Sequence, residues 1–134
     1  MPARIRAALS WAALLTAAAC VLHGCGGSIH FGFGDDFDDG PPSVNLTTAA
    51  VSVQAGQTAR FVAAASDEDG VDRVSFYRVD GNASVLLGSD TSAPYEWNAV
   101  APADGRSSLQ VFARAVDGFG SEADSATVSV AITP

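Results

Sequence analysis

From Leu109 to Ala115 the chain alternates without a break: Leu109, Val111, Ala113 and Ala115 are apolar, with Gln110, Phe112 and Arg114 between them. A period of two places the first four on one face of an extended strand, whereas a helix would scatter them around its surface. The same pattern recurs in shorter runs. Ala59, Phe61, Ala63 and Ala65 share a face, as do Val74 with Phe76, Tyr95 with Trp97, and Val128 with Val130 and Ile132. Between the runs stand Ala55-Gly56-Gln57, Asp67-Glu68-Asp69-Gly70, Asp80-Gly81-Asn82, Ala103-Asp104-Gly105 and Asp117-Gly118-Phe119-Gly120. Such turn residues punctuate strands, and Asp80-Gly81-Asn82 suits a tight hairpin. The pattern predicts an all-β antiparallel sandwich of about seven strands over residues 43–134. The first runs from Val44 to about Val53, interrupted near Thr48 and Ala49, and the third from Val71 to Val79. A short strand at Ser84–Leu87 and another at Tyr95–Val100 precede the alternating Leu109 run.

Three stretches carry a resemblance: ASDEDGVDRVSFYRVDG, LLGSDTSAPYEW and LQVFARAVDGFGS. In order and spacing they closely resemble the bacterial immunoglobulin-like domains of secreted and surface proteins. The likeness covers essentially the whole folded part, so it implies an immunoglobulin-like β-sandwich. The paired cysteines of antibody-type domains are missing. A central packing role is therefore expected for Trp97, together with Phe61 and Phe76.

The N-terminal segment is of a different kind. Arg4 and Arg6 precede an apolar stretch from Ala7 to about Leu22, and small residues follow, which is the layout of a secretory signal. As a membrane span it is too short and is interrupted by Ser10 and Thr16. Leu22-His23-Gly24-Cys25, followed by Gly26, Gly27 and Ser28, resembles a bacterial lipoprotein signal. The rival Ala17-Ala18-Ala19-Cys20 lacks a large aliphatic residue three positions before its cysteine. The resemblance implies cleavage before Cys25 and covalent lipid, palmitate included, on Cys25. More than one acyl chain is what stable anchoring takes. Gly26 rather than Asp after the cysteine implies the outer membrane within the bacterial cell envelope. The expected organisation is a signal peptide at 1–24, a lipidated tether at 25–42 and the sandwich at 43–134. Ser28 to Pro42, with its Gly and Asp residues and closing Pro-Pro, reads as a flexible linker. As a random coil, the roughly 17 residues from Cys25 would span about 20–25 Å. Phe31, Phe33 and Phe37 within it are unusual for a solvated spacer.

Composition narrows the function. The seven basic residues are all arginines, two of which leave with the signal, so five arginines face 15 acids. So acidic a chain is a poor match for nucleic acid or for anionic lipid headgroups. The sandwich region contains no His, Lys or Cys. Histidine-based triads, thiol nucleophiles, Schiff-base lysines and His/Cys zinc sites are thereby excluded from it. Carboxylate chemistry survives, but a small sandwich without a large insertion offers little cleft for a glycosidase pair. A non-catalytic role is expected, as a binding or adhesion module or as a structural spacer.

Two candidate sites follow from the expected topology. Loops at one end of the sandwich bring together Asp67, Glu68, Asp69, Asp72, Asp90, Asp117 and Glu122, with Asp80 and Asp104 mainly at the other end. Asp67, Asp69, Asp72 and Asp117 are candidate calcium ligands, since calcium takes six to eight oxygens from such groups. The alternative is solvated turn aspartates chosen for loop geometry. The second candidate is a sheet face. Tyr77 and Phe112 point away from the core on neighbouring strands, near Arg73, Arg114 and Val116. They form either a platform for a protein or carbohydrate ligand or a cross-strand pair that stabilises the sheet.

Overall fold

The computed structural model describes residues 40–134. The expected signal at 1–24, Cys25, and the tether up to residue 39 with Phe31, Phe33 and Phe37 lie outside the described residues.

Nine strands follow in chain order: β1 (Ser43–Thr48), β2 (Ser52–Gln54), β3 (Thr58–Ser66), β4 (Val71–Asp80), β5 (Ala83–Asp90), β6 (Tyr95–Val100), β7 (Ser108–Asp117), β8 (Glu122–Asp124) and β9 (Val128–Thr133). They form two sheets. The small one has the order β1-β3-β6, and the large one β2-β9-β7-β4-β5, with β8 beside β7. Every ladder is antiparallel except β2 on β9.

Four of the nine, β1 with β2 and β8 with β9, are halves of two interrupted strands, which reconciles this number with about seven. β1 pairs with β3 in the small sheet, and β2 then crosses to β9 in the large one. Thr48 makes that corner: its hydroxyl donates to the Arg60 carbonyl at 2.7 Å and accepts from the Ala50 N–H at 3.2 Å. β8 and β9 both run along β7. At the break between them, the Ser125 N–H donates to the Ala113 carbonyl, and the Ser125 hydroxyl accepts from the Ala113 N–H. A side-chain oxygen thus stands in for a ladder carbonyl, which leaves no orphaned donor in the buried strand.

Alternation dictates the core. Leu46, Ala59, Phe61, Ala63, Tyr95 and Ala99 face inward from the small sheet. Val74, Phe76, Leu109, Val111, Ala113, Ala115 and Val130 face them from the large one. Phe61 and Phe76 are fully buried, and the small alanines around them let the two sheets approach closely. Trp97 is only partly buried and packs against this core from β6. The aromatic centre is therefore the two phenylalanines, and Trp97 seals an edge.

β5 is longer than the alternation suggested, reaching Asp90. Its pairing with β4 shifts by one residue at Leu87: Phe76 faces Gly88, whereas Tyr77 faces Leu86. This bulge hides the period-two signal in the sequence. The hairpin joining β4 and β5 turns at Gly81, whose φ of 63° lies in the region glycine enters without strain.

Candidate functional site

Tyr77 and Phe112 are cross-strand neighbours of β4 and β7. Because Phe76 and Val111 point into the core, both rings stand on the outer face of the large sheet. They stack with centroids 5.1 Å apart and planes 9° from parallel. The Arg114 guanidinium lies 5.6 Å from the Tyr77 ring centre, so a cation joins the ring pair. Arg114 is itself held by Asp124 at 2.6 Å and Glu122 at 3.4 Å. The Asp124 hydrogen bond keeps the guanidinium protonated, and the same pairing holds the Asp124 carboxyl below its ordinary range.

Cross-strand register extends this face into rows. Leu86 of β5 sits beside Tyr77, so Leu86, Tyr77 and Phe112 form one apolar line across three strands. The adjacent line is polar: Ser89, Ser75, Arg114 and Asp124. Its buried Ser75 is satisfied by a 2.7 Å hydrogen bond to Ser89. Of the residues expected near the rings, Val116 is buried and Arg73 pairs with Asp72 at 3.2 Å. Neither contributes to the outer apolar line.

The acidic loops lie at one end of the sandwich, but they spend their oxygens locally. Asp67 accepts from the Asp69 N–H at 2.9 Å, a turn of the aspartate-closed kind. Asp72 is exposed and bound to Arg73. Asp90 accepts from the N–H groups of Glu96 and Ser92, which lower its pKa. Asp117 is buried, and one of its oxygens accepts from the Phe119 and Ser121 N–H groups at 2.8 and 2.9 Å. Burial pushes its carboxyl up, but the donors from Ser121, Phe119 and Gly120 outweigh this and hold it below the ordinary value. Its second oxygen, Oδ2, is buried without a hydrogen bond. Among the described residues no group of three or more His, Cys, Asp or Glu is gathered to hold a metal ion.

The opposite end carries a cluster that sequence reasoning missed. Asp80 accepts from Arg78 at 2.7 Å and from Arg106 at 2.5 Å, and Arg106 also reaches Asp104 at 2.6 Å. Arg78, then Arg106, holds the Asp80 carboxyl down at about 2. The cluster borders an open depression of about 400 Å³ lined by Val79, Gly81, Ser108 and Gln110 as well. The available signal was partial: Arg78 and Asp80 are two residues apart on β4, and strand residues two apart share a face, whereas Asp104 and Arg106 flank the Gly105 turn before β7.

Comparison with known proteins agrees with this architecture. A family model for the bacterial Ig domain matches residues 42–111. The fibronectin(III)-like modules of Clostridium thermocellum CbhA superpose with a TM-score of 0.56 at 27% identity, covering 67% of this chain and 94% of that one. A chain from the structural study of T cell specificity and activation by the superantigen toxic shock syndrome toxin-1 gives 0.53 at 12% identity, covering 69% and 99%. The Endo-D glycoside hydrolase domain structure from Streptococcus pneumoniae R6 gives 0.50 at 21% identity, with 68% of this chain against 15% of that one. The last two likenesses concern the fold alone. No curated protein matches the sequence.

Proposed function

The chain belongs to the bacterial Ig domain family, and on that premise we propose that it is a non-catalytic binding module held at a bacterial outer membrane by acyl chains on Cys25. The observation that carries the binding role is the outer-face line of Leu86, Tyr77 and Phe112. Leu86 is exposed and Tyr77 and Phe112 are half-buried beside it, and apolar surface grouped across neighbouring strands is what partner sites use. The partner is a protein or carbohydrate of the envelope, reached by the domain that follows the anchored segment. The Leu22-His23-Gly24-Cys25 segment supports the anchor. The bare-module character of the domain supports a role without catalysis, since it accounts for 94% of a fibronectin(III)-like chain.

One observation favours a structural spacer instead. The Tyr77 ring is covered by Phe112 on one side and approached by Arg114, so much of its surface is already engaged within the sheet. Recovery of partners from envelope extract by the full chain and by a Tyr77→Ala/Phe112→Ala variant separates the readings. Loss of a partner with the variant, at unchanged circular dichroism, is the expected result. Equal recovery by both forms leaves the spacer. Mass spectrometry of the mature N-terminus tests the anchor independently, and an unacylated Cys25 would remove it.

A further inference from the structure

The described residues hold four Asp-Gly steps: Asp69-Gly70, Asp80-Gly81, Asp104-Gly105 and Asp117-Gly118. This dipeptide carries its own chemistry, because no side chain on the glycine hinders attack by its nitrogen on the preceding carboxyl. The attack needs a carboxyl that can take up a proton and turn toward the backbone. The fold removes that freedom at three of the steps. Asp80 is paired with Arg78 and Arg106 and held at about 2, against an ordinary 3.8, which reduces its neutral form on the order of tenfold or more. Both oxygens of Asp104 accept from the Arg106 guanidinium. Asp117 is buried, and its carboxyl is fixed by the N–H groups of Phe119 and Ser121. Asp69 differs. It and Gly70 are exposed in the turn between β3 and β4. Among the described residues its carboxylate takes part in no hydrogen bond or ion pair. The Gly70 N–H is restrained by a bond to the Asp67 carbonyl, but at 3.3 Å this bond is long. An exposed turn held so weakly opens at little cost.

We propose that Asp69-Gly70 is the covalent modification site at which the folded chain forms isoaspartate, by way of a cyclic imide. The Gly70 nitrogen bonds to the Asp69 side-chain carbonyl carbon, and the carboxyl hydroxyl leaves with the amide proton as water. Water then opens the ring at either carbonyl. Cleavage between nitrogen and the side-chain carbon restores aspartate. Cleavage between nitrogen and the backbone carbon leaves the chain running through the side chain, which is isoaspartate. Water is released in the first step and consumed in the second, so no oxidant, reductant or other co-reactant is needed. The product keeps its negative charge but adds a carbon to the backbone. It lengthens the turn that carries the chain from the small sheet to the large one. The Asp69 N–H is thereby displaced from the Asp67 carboxylate, to which it now donates at 2.9 Å. This chemistry depends on neither the anchor nor an envelope partner.

Incubation of the full chain in detergent and water enriched in heavy oxygen, followed by proteolysis and electron-transfer mass spectrometry, tests it. Each ring opening inserts an oxygen from solvent, and the fragmentation separates isoaspartate from aspartate. Label and isoaspartate are expected in the Asp69 peptide ahead of the peptides bearing Asp80, Asp104 and Asp117. In urea all four steps should take up label, because unfolding removes the contacts that protect the other three. Asp69→Glu, which closes only a larger and slower ring, should lose the signal at that position with unchanged circular dichroism. Label that reaches any of the other three before Asp69 in the folded chain overturns the proposal. So does a folded chain that stays unlabelled at Asp69 for the time in which urea labels it, or a signal there that survives Asp69→Glu.

Discussion

Trp97 occupies the space that a side chain on Gly88 would need. A Cβ built on Gly88 would fall among the Cη2, Cζ2 and Cζ3 atoms of the indole ring. The two residues come from different sheets, β5 and β6, and the ring also stacks on Phe76 at 6.4 Å. Gly88→Ala should therefore force the ring off its seat and cost about 1–3 kcal/mol, the usual penalty of overpacking. Urea denaturation measures the loss, and a shift in indole fluorescence should accompany it. Unchanged stability would mean that Trp97 moves aside freely.

The core aromatics should not be equal in cost. Phe61→Ala and Phe76→Ala empty fully buried sites and should each lose about 3–5 kcal/mol. Trp97→Ala should lose less, about 2 kcal/mol, because part of its ring already meets solvent. A larger loss at Trp97 than at Phe76 would return the packing centre to the tryptophan.

Acid should act through Asp80. Its folded-state pKa of about 2 lies below the ordinary 3.8, so the unfolded chain takes up the proton first as pH falls. The stabilisation is complete above the unfolded value and disappears between about pH 4 and pH 2. Asp104 and Asp124, lowered by Arg106 and Arg114, act in the same direction. Melting temperature followed downward from about pH 5 should fall more steeply for the wild type than for Asp80→Asn. Parallel curves would show that the Arg78 and Arg106 contacts contribute nothing.

Asp117 organises the β7–β8 turn through its N–H donors. Asp117→Ala should lower the melting temperature by the same amount with and without millimolar calcium. A calcium-dependent rise in the wild type that the variant loses would instead place an ion at its buried Oδ2.

The candidate surfaces were legible to different depths. Placing Tyr77 and Phe112 outside on adjacent strands needs only alternation and the order of strands. Their stacking needs the β4–β7 register, which no local pattern carries. Gathering the acids of Asp67–Asp72 and Asp117 at one end needs only the order of loops. Asp67, Asp72 and Asp117 each find a partner within a few residues. The Arg78–Asp80–Arg106–Asp104 group was hidden because Asp80 and Arg106 stand 26 positions apart. β5 was read short because a bulge at Leu87 breaks the period of two.

Alone, the amino-acid order determined which side of each strand a residue occupies and where the chain turns. Both are local properties, set by the pleat and by residues such as Gly81. Tertiary structure alone decided which rings touch, which arginine reaches which aspartate, and that Gly88 must lack a side chain beneath Trp97. Those contacts join positions far apart in sequence, and they are chosen by the register and closure of two sheets around Phe61 and Phe76.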